Sequence, residues 1–305
     1  MNAEASSDPE LLRAAPRMSM VVTAESLPRF RSTIGQERPD LAEGVEHSRR
    51  SVGPDETVGV ELLRPSGHDG PLPCIVSIHG GGFVMGTPWM DDARLSSWAA
   101  ELPCVTASVD YRLAPETPYP GPLEDCYSAL KWVHDHSEEL GVDASRIGIS
   151  GASGGGGLAA GLGLLARDRG EFPLAFQLLL YPMLDDRQDT ASITWETPRW
   201  PPASNAFSWR AYLGEHHGRD SVPVHAAPAR CDDLAGLPPT FVAVGTADAL
   251  VDEDIAYAVR LLHAGVPTEL RVYAGAPHGL DKMFGTAAQA RLMRDVSEWL
   301  RERLA

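Results

Sequence analysis

The sequence predicts an α/β fold with a mainly parallel sheet of about eight strands and helices on both faces. Three observations support this prediction. Short apolar runs alternate with helical segments, which is typical of parallel sheets. A chain of 305 residues buries enough surface for one such core without disulfide bonds. Between residues 146 and 156, an apolar run enters a glycine-rich turn directly before a small-residue helix.

The individual elements follow from the pattern of the chain. Residues 1–44 carry four prolines between short amphipathic pieces, which favours short helices. Next, two strand-like runs flank a Gly-Pro-Asp-Glu turn and should form an antiparallel hairpin. Residues 187–225 are rich in aromatic side chains and proline, which indicates an excursion from the sheet. The predicted strands are 45–52, 57–64, 74–78, 104–109, the run that ends before residue 151, 175–180, 240–244 and 269–273. The predicted helices are 91–101, 123–136, 158–167, 252–264 and 286–303.

Composition and charge exclude several classes of protein. A net charge of −16 disfavours binding to nucleic acid or to anionic membranes, because both would repel the chain. No apolar run approaches the roughly 20 residues of a membrane span, and residues 1–20 lack the apolar core of a signal peptide. The four cysteines form no Cys-x-x-Cys pair, so we expect reduced, buried thiols and no metal site. The expected location is the cytoplasm.

The glycine-rich turn contains a Gly-x-Ser-x-Gly pattern made by Gly151, Ser153 and Gly155. A serine on a sharp turn from strand to helix has a strained backbone, and residues two positions away must lack a Cβ to avoid a collision. The same turn exposes the serine oxygen beside the first N–H groups of the helix. Ser153 is therefore the candidate nucleophile.

A nucleophilic serine needs a base, and the base needs an acid that orients it. Asp248 follows the strand predicted at 240–244, and His278 follows the strand predicted at 269–273. Both loops leave the same end of a parallel sheet as the Ser153 turn, which is where open α/β sheets place their sites. Asp252 and Glu253 are rival acids, but their position at a helix start explains them through the helix dipole.

A second glycine-rich stretch, residues 79–82, follows the strand predicted at 74–78. A tetrahedral intermediate carries negative charge on the former carbonyl oxygen, and backbone N–H groups can bind that oxygen. We expect the N–H groups of Gly81, Gly82 and Gly154 to form this oxyanion hole. A glycine-rich turn with no ligand is the simpler alternative, but the His-Gly-Gly-Gly order after a strand favours the oxyanion hole.

Taken together, the segments 79–83, 111–116, 151–155, 181–184, 248–253 and 277–279 resemble the hormone-sensitive lipase group of α/β-hydrolase carboxylesterases. The resemblance covers residues 45–305. It implies the α/β-hydrolase fold, with residues 1–44 and 187–225 forming a helical cap over a catalytic core of 45–186 and 226–305. It also implies hydrolysis of short- to medium-chain acyl esters through an acyl-enzyme, with a small-molecule ester as partner and no cofactor.

The chain departs from the family pattern at two positions beside the nucleophile. Ala152 stands where the family usually has Asp, which removes a carboxylate from the turn, and Gly154 stands where Ala is common. Arg112 and Glu116, in a family segment, are better explained as a buried ion pair or a lock on a turn than as catalysts. Family relatives often pair into dimers through the last strand, so a homodimer is possible here.

Two questions stay open at this point. Aromatic residues of the cap, Trp195 and Trp209, are candidates for an apolar substrate pocket, although they could simply pack the cap onto the core. Other functions also compete: amidase or lactonase activity with the same triad, a non-catalytic small-molecule receptor on the same fold, and dinucleotide binding. The spacing of the glycines does not match the dinucleotide pattern, and the presence of His278 disfavours the receptor.

Overall fold

The computed structural model describes residues 8–14, 21–53, 55–197 and 199–305. An eight-stranded sheet runs through it in the order β1-β2-β4-β3-β5-β6-β7-β8. Pairing of β1 with β2 and of β2 with β4 is antiparallel, and all other neighbours are parallel. The strands are β1 (Val45–Val52), β2 (Val58–Pro65), β3 (Leu72–Ile78), β4 (Val105–Asp110), β5 (Val142–Ala152), β6 (Gln177–Leu180), β7 (Thr240–Gly245) and β8 (Thr268–Tyr273).

Helices connect the strands and cover the sheet. They are α1 (Pro9–Ala14), α2 (Leu27–Arg31), α3 (Asp92–Glu101), α4 (Gly121–Asp135), α5 (Ser137–Leu140), α6 (Gly154–Arg169), α7 (Pro202–Leu213), α8 (Val251–His263) and α9 (Ala287–Leu304). The predicted mainly parallel α/β fold is therefore confirmed, and β8 lies at the edge of the sheet as expected. Pairing of two chains through that edge stays a prediction.

Two apolar clusters lie on the two faces of the sheet because successive side chains of a strand point to opposite faces. In β3, Val76 belongs to the cluster with Leu162 of α6, whereas Ile75 belongs to the cluster with Trp98 of α3 and Trp299 of α9. Helices α4, α6 and α8 thus pack on one face, and α3 and α9 pack on the other. Strand β3 is buried along its whole length, as expected for a central parallel strand.

Helix α6 begins at Gly154, four residues before the predicted start. Glycine is a poor helix former, so the sequence pattern placed the start after the glycine run. In the structure those glycines are required by packing. A Cβ on Gly157 would lie 2.1 Å from the carbonyl oxygen of Met183, and a Cβ on Gly156 would lie 2.8 Å from the Pro182 side chain.

The two segments expected to form the cap contact each other. The N–H of Val22 donates to Ser204 Oγ of α7 at 2.8 Å. Helix α1 instead reaches the core, where Leu11 is fully buried and the Asp8 N–H donates to the carbonyl of Gly275. The division into cap and core stays a prediction. Residues 1–7 and 15–20 of the expected cap, Pro198, and Pro54 of the expected hairpin turn lie outside the described residues.

No helix in the described ranges is long and apolar enough to cross a membrane.

Of the two explanations for Arg112 and Glu116, a buried ion pair between them is wrong, whereas a lock on the turn agrees with their contacts. Arg112 instead forms a bidentate pair with the buried Asp125 of α4, with Nη2 2.6 Å from Oδ1, and Glu116 pairs with Arg31 of α2 at 2.8 Å. The side chains of Arg112 and Glu116 are 51% and 63% exposed, because each reaches outward to a different helix. The segment 111–116 is therefore held by ion pairs to helices α2 and α4, and not by an ion pair between its own residues.

Candidate active site

Ser153 lies between β5 and α6 with φ 57° and ψ −124°, an unfavourable backbone conformation for a residue with a side chain. The turn is tight because its glycines touch neighbouring backbone. A Cβ on Gly151 would lie 2.1 Å from the carbonyl oxygen of Gly155, and a Cβ on Gly155 would lie 2.2 Å from that of Ile78. The predicted Gly-x-Ser-x-Gly turn therefore has the steric basis that the pattern indicates.

The structure brings the three predicted triad residues together. His278 Nε2 lies 2.9 Å from Ser153 Oγ, and His278 Nδ1 lies 2.8 Å from Asp248 Oδ2. Asp248 is fully buried, and its second oxygen, Oδ1, accepts the N–H of Leu250 at 3.0 Å. With a proton on Nδ1 donated to Asp248, the imidazole presents an unprotonated Nε2 to the serine hydroxyl. This geometry suits general-base activation of Ser153.

The rival residues lie elsewhere. Asp252 accepts the N–H of Ser192 at 2.8 Å, and Glu253 accepts the N–H of Leu184 at 2.8 Å, so both carboxylates hold loops beside α8. Burial raises the pKa of Glu253 well above its ordinary value. His225, one of the other histidines, pairs with Asp168 at 2.7 Å.

The glycine-rich stretch after β3 is anchored by its first residue. The ring of His79 stacks on Tyr111 with centroids 4.2 Å apart, and His79 Nδ1 donates to the carbonyl of Gly80 at 2.8 Å. The Tyr111 hydroxyl donates to the His79 carbonyl at 2.9 Å. Burial lowers the pKa of His79, which favours the neutral ring. These contacts hold the backbone of the following glycines in place.

Gly81, Gly82 and Gly154 converge beside Ser153. A Cβ on Gly154 would lie 2.9 Å from the backbone nitrogen of Gly82, so the two backbones are in direct contact. Gly81 and Gly82 adopt φ values of 117° and 58°, which glycine tolerates best. Within the described residues, their N–H groups make no hydrogen bond, and the N–H of Gly154 belongs to the first turn of α6. The arrangement can bind a negatively charged oxygen.

A cavity of about 110 Å³ opens onto Ser153 and His278. Apolar residues that line it are Ile34, Met85 and Met90, and polar or aromatic residues that line it are Tyr181, Arg199, Trp200, Asp91 and Lys282.

Trp200, not Trp195 or Trp209, is the tryptophan at this cavity. Its ring lies 6.0 Å from the ring of His278, with an interplanar angle of 27°. Trp209 is fully buried and packs on Phe83, the residue after Gly82, with centroids 5.1 Å apart. Trp195 is half-buried against the core cluster that contains α9. The walls of the cavity, in the described part of the chain, include neither of the two predicted tryptophans.

Comparisons with known proteins identify relatives of this chain in sequence and in structure. A family model described as the alpha/beta hydrolase fold matches residues 75–282. Among proteins of known sequence, the chain is 37% identical to the esterase LipI of Mycobacterium tuberculosis over 231 residues, which are 74% of this chain and 72% of LipI. Among solved structures, a bacterial heroin esterase is 42% identical and superposes over the full length of both chains with a TM-score of 0.94. Esterase LipW from Mycobacterium marinum is 35% identical, with a TM-score of 0.89 over 99% of this chain and 97% of LipW.

The chain belongs to the α/β-hydrolase family. Within the family it groups with carboxylic ester hydrolases. The resemblance seen in the sequence is thereby confirmed. Sequence reasoning missed Arg199 and Trp200 of this hydrolase, because the segment 187–225 has no periodic pattern that distinguishes a residue facing the site from its neighbours. Among the described residues, no group of three or more His, Cys, Asp or Glu side chains could hold a metal ion.

In this α/β-hydrolase, Gly154 permits a closer approach of the two glycine-rich segments than alanine would. We therefore expect Gly154→Ala to push Gly82 away, since its Cβ would also lie 2.7 Å from the backbone nitrogen of Phe83. A misplaced oxyanion donor costs up to about 10²–10³ in rate, so kcat for p-nitrophenyl acetate should fall at least 10-fold with a smaller change in KM. Steady-state kinetics on the purified variant measure this, and an unchanged kcat would contradict the assigned contact.

Proposed function

We propose that this protein hydrolyses carboxylic esters through a covalent acyl-enzyme on Ser153. The contact between Ser153 Oγ and His278 Nε2, at 2.9 Å, is the observation on which the proposal rests. The ester carbonyl would lie with its oxygen toward Gly81, Gly82 and Gly154. His278 would accept the serine proton while Oγ forms a bond to the carbonyl carbon, which yields a tetrahedral oxyanion.

Collapse of that intermediate would break the bond to the alcohol oxygen, and His278 would donate its proton to the leaving alcoholate. A water molecule would then attack the acyl carbon and lose its proton to His278. The bond between that carbon and Oγ would break, the acid would leave, and His278 would return the proton to Ser153 Oγ. Asp248 would keep the proton on Nδ1 and stabilise the imidazolium in both halves of the reaction. Its fixed position, with Oδ1 bound to the Leu250 N–H, supports that role.

The mechanism is tested by replacing Ser153 and by comparing the effects of replacing two aspartates, Asp248 and Asp252. Ser153→Ala should abolish the hydrolysis of p-nitrophenyl acetate, and Asp248→Asn should lower kcat by about 10³–10⁴-fold because the imidazole loses its orienting partner. Asp252→Asn is the matched control: its carboxylate serves the Ser192 N–H instead, so kcat should change little. Steady-state kinetics, with circular dichroism to verify folding, give the answer. Full activity in folded Ser153→Ala would refute the mechanism.

The size of the cavity supports a preference for short acyl groups, because the acyl and alcohol parts of the ester share its space. At about 110 Å³, the cavity is smaller than an apolar cavity of roughly 150 Å³ that holds one benzene molecule. Trp200 limits the volume of this cavity. The edge of its indole lies so close to Gly82 that a Cβ on Gly82 would be 2.4 Å from it. We infer that acetyl to butyryl esters fit best.

A series of p-nitrophenyl esters from acetate to octanoate tests the size limit. The wild type should show its highest kcat/KM at or below butyrate, and Trp200→Ala should move the optimum to longer chains. Trp195→Ala is the matched control, because it removes the same side chain from the cap segment at a position away from the cavity. An optimum that stays fixed in Trp200→Ala, or moves equally in Trp195→Ala, would rule out Trp200 as the limit.

A further inference from the structure

We propose that Arg199 binds a carboxylate on the alcohol side of the ester, so that the preferred substrates are O-acylated hydroxy acids. The inference rests on the proposed function and names the substrate class of the same site. Arg199 belongs to the segment expected to cover the site, it lines the cavity that contains Ser153, and its guanidinium lies next to Gly279, another lining residue.

The guanidinium of Arg199 has no protein partner. Across the described ranges it makes no ion pair or hydrogen bond, and its Nε is buried without a hydrogen-bond partner. Burial lowers its pKa from the ordinary value, although Tyr181, Asp281 and Asp248 partly oppose this. A half-buried, unpaired cation is costly, and a ligand that supplies an anion would remove that cost. Unpaired charged groups in a cleft are candidates for function for this reason.

The neighbouring carboxylates are already satisfied, so none is available to Arg199. Asp91 pairs with Lys282 and with Arg94, at 3.1 Å from Nη2 of Arg94. Asp281 accepts Nη1 of Arg94 at 2.9 Å with one oxygen and the Tyr181 hydroxyl with the other. Two cations therefore balance two anions in this cluster.

Asp91 is also held in its charged form. Burial alone would raise the pKa of Asp91, but the charges of Arg94 and Lys282 outweigh burial and hold that pKa below its ordinary value. Asp248 is engaged with His278. The charge of Asp248 also acts on Arg199, so Arg199 is distinguished not by its charge but by a guanidinium that has no direct partner among the described residues.

The position of the guanidinium indicates which part of the ester it meets. It lies flat over Gly279, the residue after His278: a Cβ built there would be 3.0 Å from Nη2, 3.3 Å from Nε and 3.4 Å from Cζ of Arg199. His278 donates a proton to the leaving alcohol in the proposed mechanism. A group beside His278 therefore borders the alcohol side of the substrate, opposite the oxyanion-hole glycines.

Charge favours a carboxylate over a phosphate at this place. A single guanidinium offers two parallel N–H donors that match the two oxygens of a carboxylate. A phosphate monoester carries close to two negative charges, and the nearby carboxylates of Asp91 and Asp281 would repel the excess charge. One guanidinium without a direct partner is suited to one carboxylate.

The test uses isosteric esters that differ only in charge. Wild-type kcat/KM for acetoxyacetate should exceed that for acetoxyacetamide by about 10- to 100-fold, after each is normalised to its hydroxide-catalysed rate. In Arg199→Gln this ratio should fall to about 1. Arg210→Gln removes the same charge from an exposed position of α7 and should leave the ratio unchanged. An acyl-side pair, monomethyl succinate and methyl succinamate, should show no such preference.

Binding gives a second readout that does not depend on turnover. Isothermal titration of folded Ser153→Ala should show at least 10-fold tighter binding of acetoxyacetate than of acetoxyacetamide, and the difference should vanish when Arg199→Gln is added. A ratio near 1 in the wild type, a ratio unaffected by Arg199→Gln, or a charge preference confined to the acyl-side pair would each overturn the inference. If acetoxyacetamide is still hydrolysed in a Ser153-dependent manner in those cases, the proposed function stands.

Discussion

The close packing of backbone on backbone around Ser153 is the constraint on which the rest of the site depends. The positive φ of Ser153 costs about 1–3 kcal/mol, and the surrounding contacts maintain it. Its N–H donates to Leu180, and its carbonyl accepts the N–H groups of Gly157 and Met183. Because the neighbouring glycines lack a Cβ, the end of strand β3 and its following loop can lie in direct backbone contact with the turn that holds Ser153.

The electrostatics of the site separate into two parts. On one side, the triad is compact: a buried Asp248 orients His278, and the imidazole reaches Ser153. On the other side, a balanced cluster of buried ions supports the cavity wall and leaves Arg199 without a partner. Such a cation without a direct partner is the part of the site that could discriminate between esters, since the proposed triad and oxyanion hole would contact atoms that every ester possesses.

Much of the fold and of the catalytic geometry could be predicted from sequence, because those features depend on local patterns. Buried parallel strands are continuous apolar runs, and the loops with Asp248 and His278 follow such runs directly. The start of α6 could not be placed, since the packing of Gly156 and Gly157 against Pro182 and Met183 outweighs their poor helix propensity.

Features that depend on contacts between residues far apart in the sequence could not be predicted. Arg112 pairs with Asp125 and Glu116 pairs with Arg31, and the local segment does not specify either partner. Similarly, the choice among Trp195, Trp200 and Trp209 depends on how an irregular segment folds over the core.

The central claim, that Ser153 is the nucleophile, is tested most directly by covalent trapping. Diethyl p-nitrophenyl phosphate should transfer its phosphoryl group to Ser153 Oγ, with loss of p-nitrophenolate, and block esterase activity in proportion to labelling. Peptide mass spectrometry should then place a single adduct on the peptide that contains Ser153, and folded Ser153→Ala should stay unlabelled. An adduct on another residue that accompanies the loss of activity, or equal labelling of Ser153→Ala, would contradict the account.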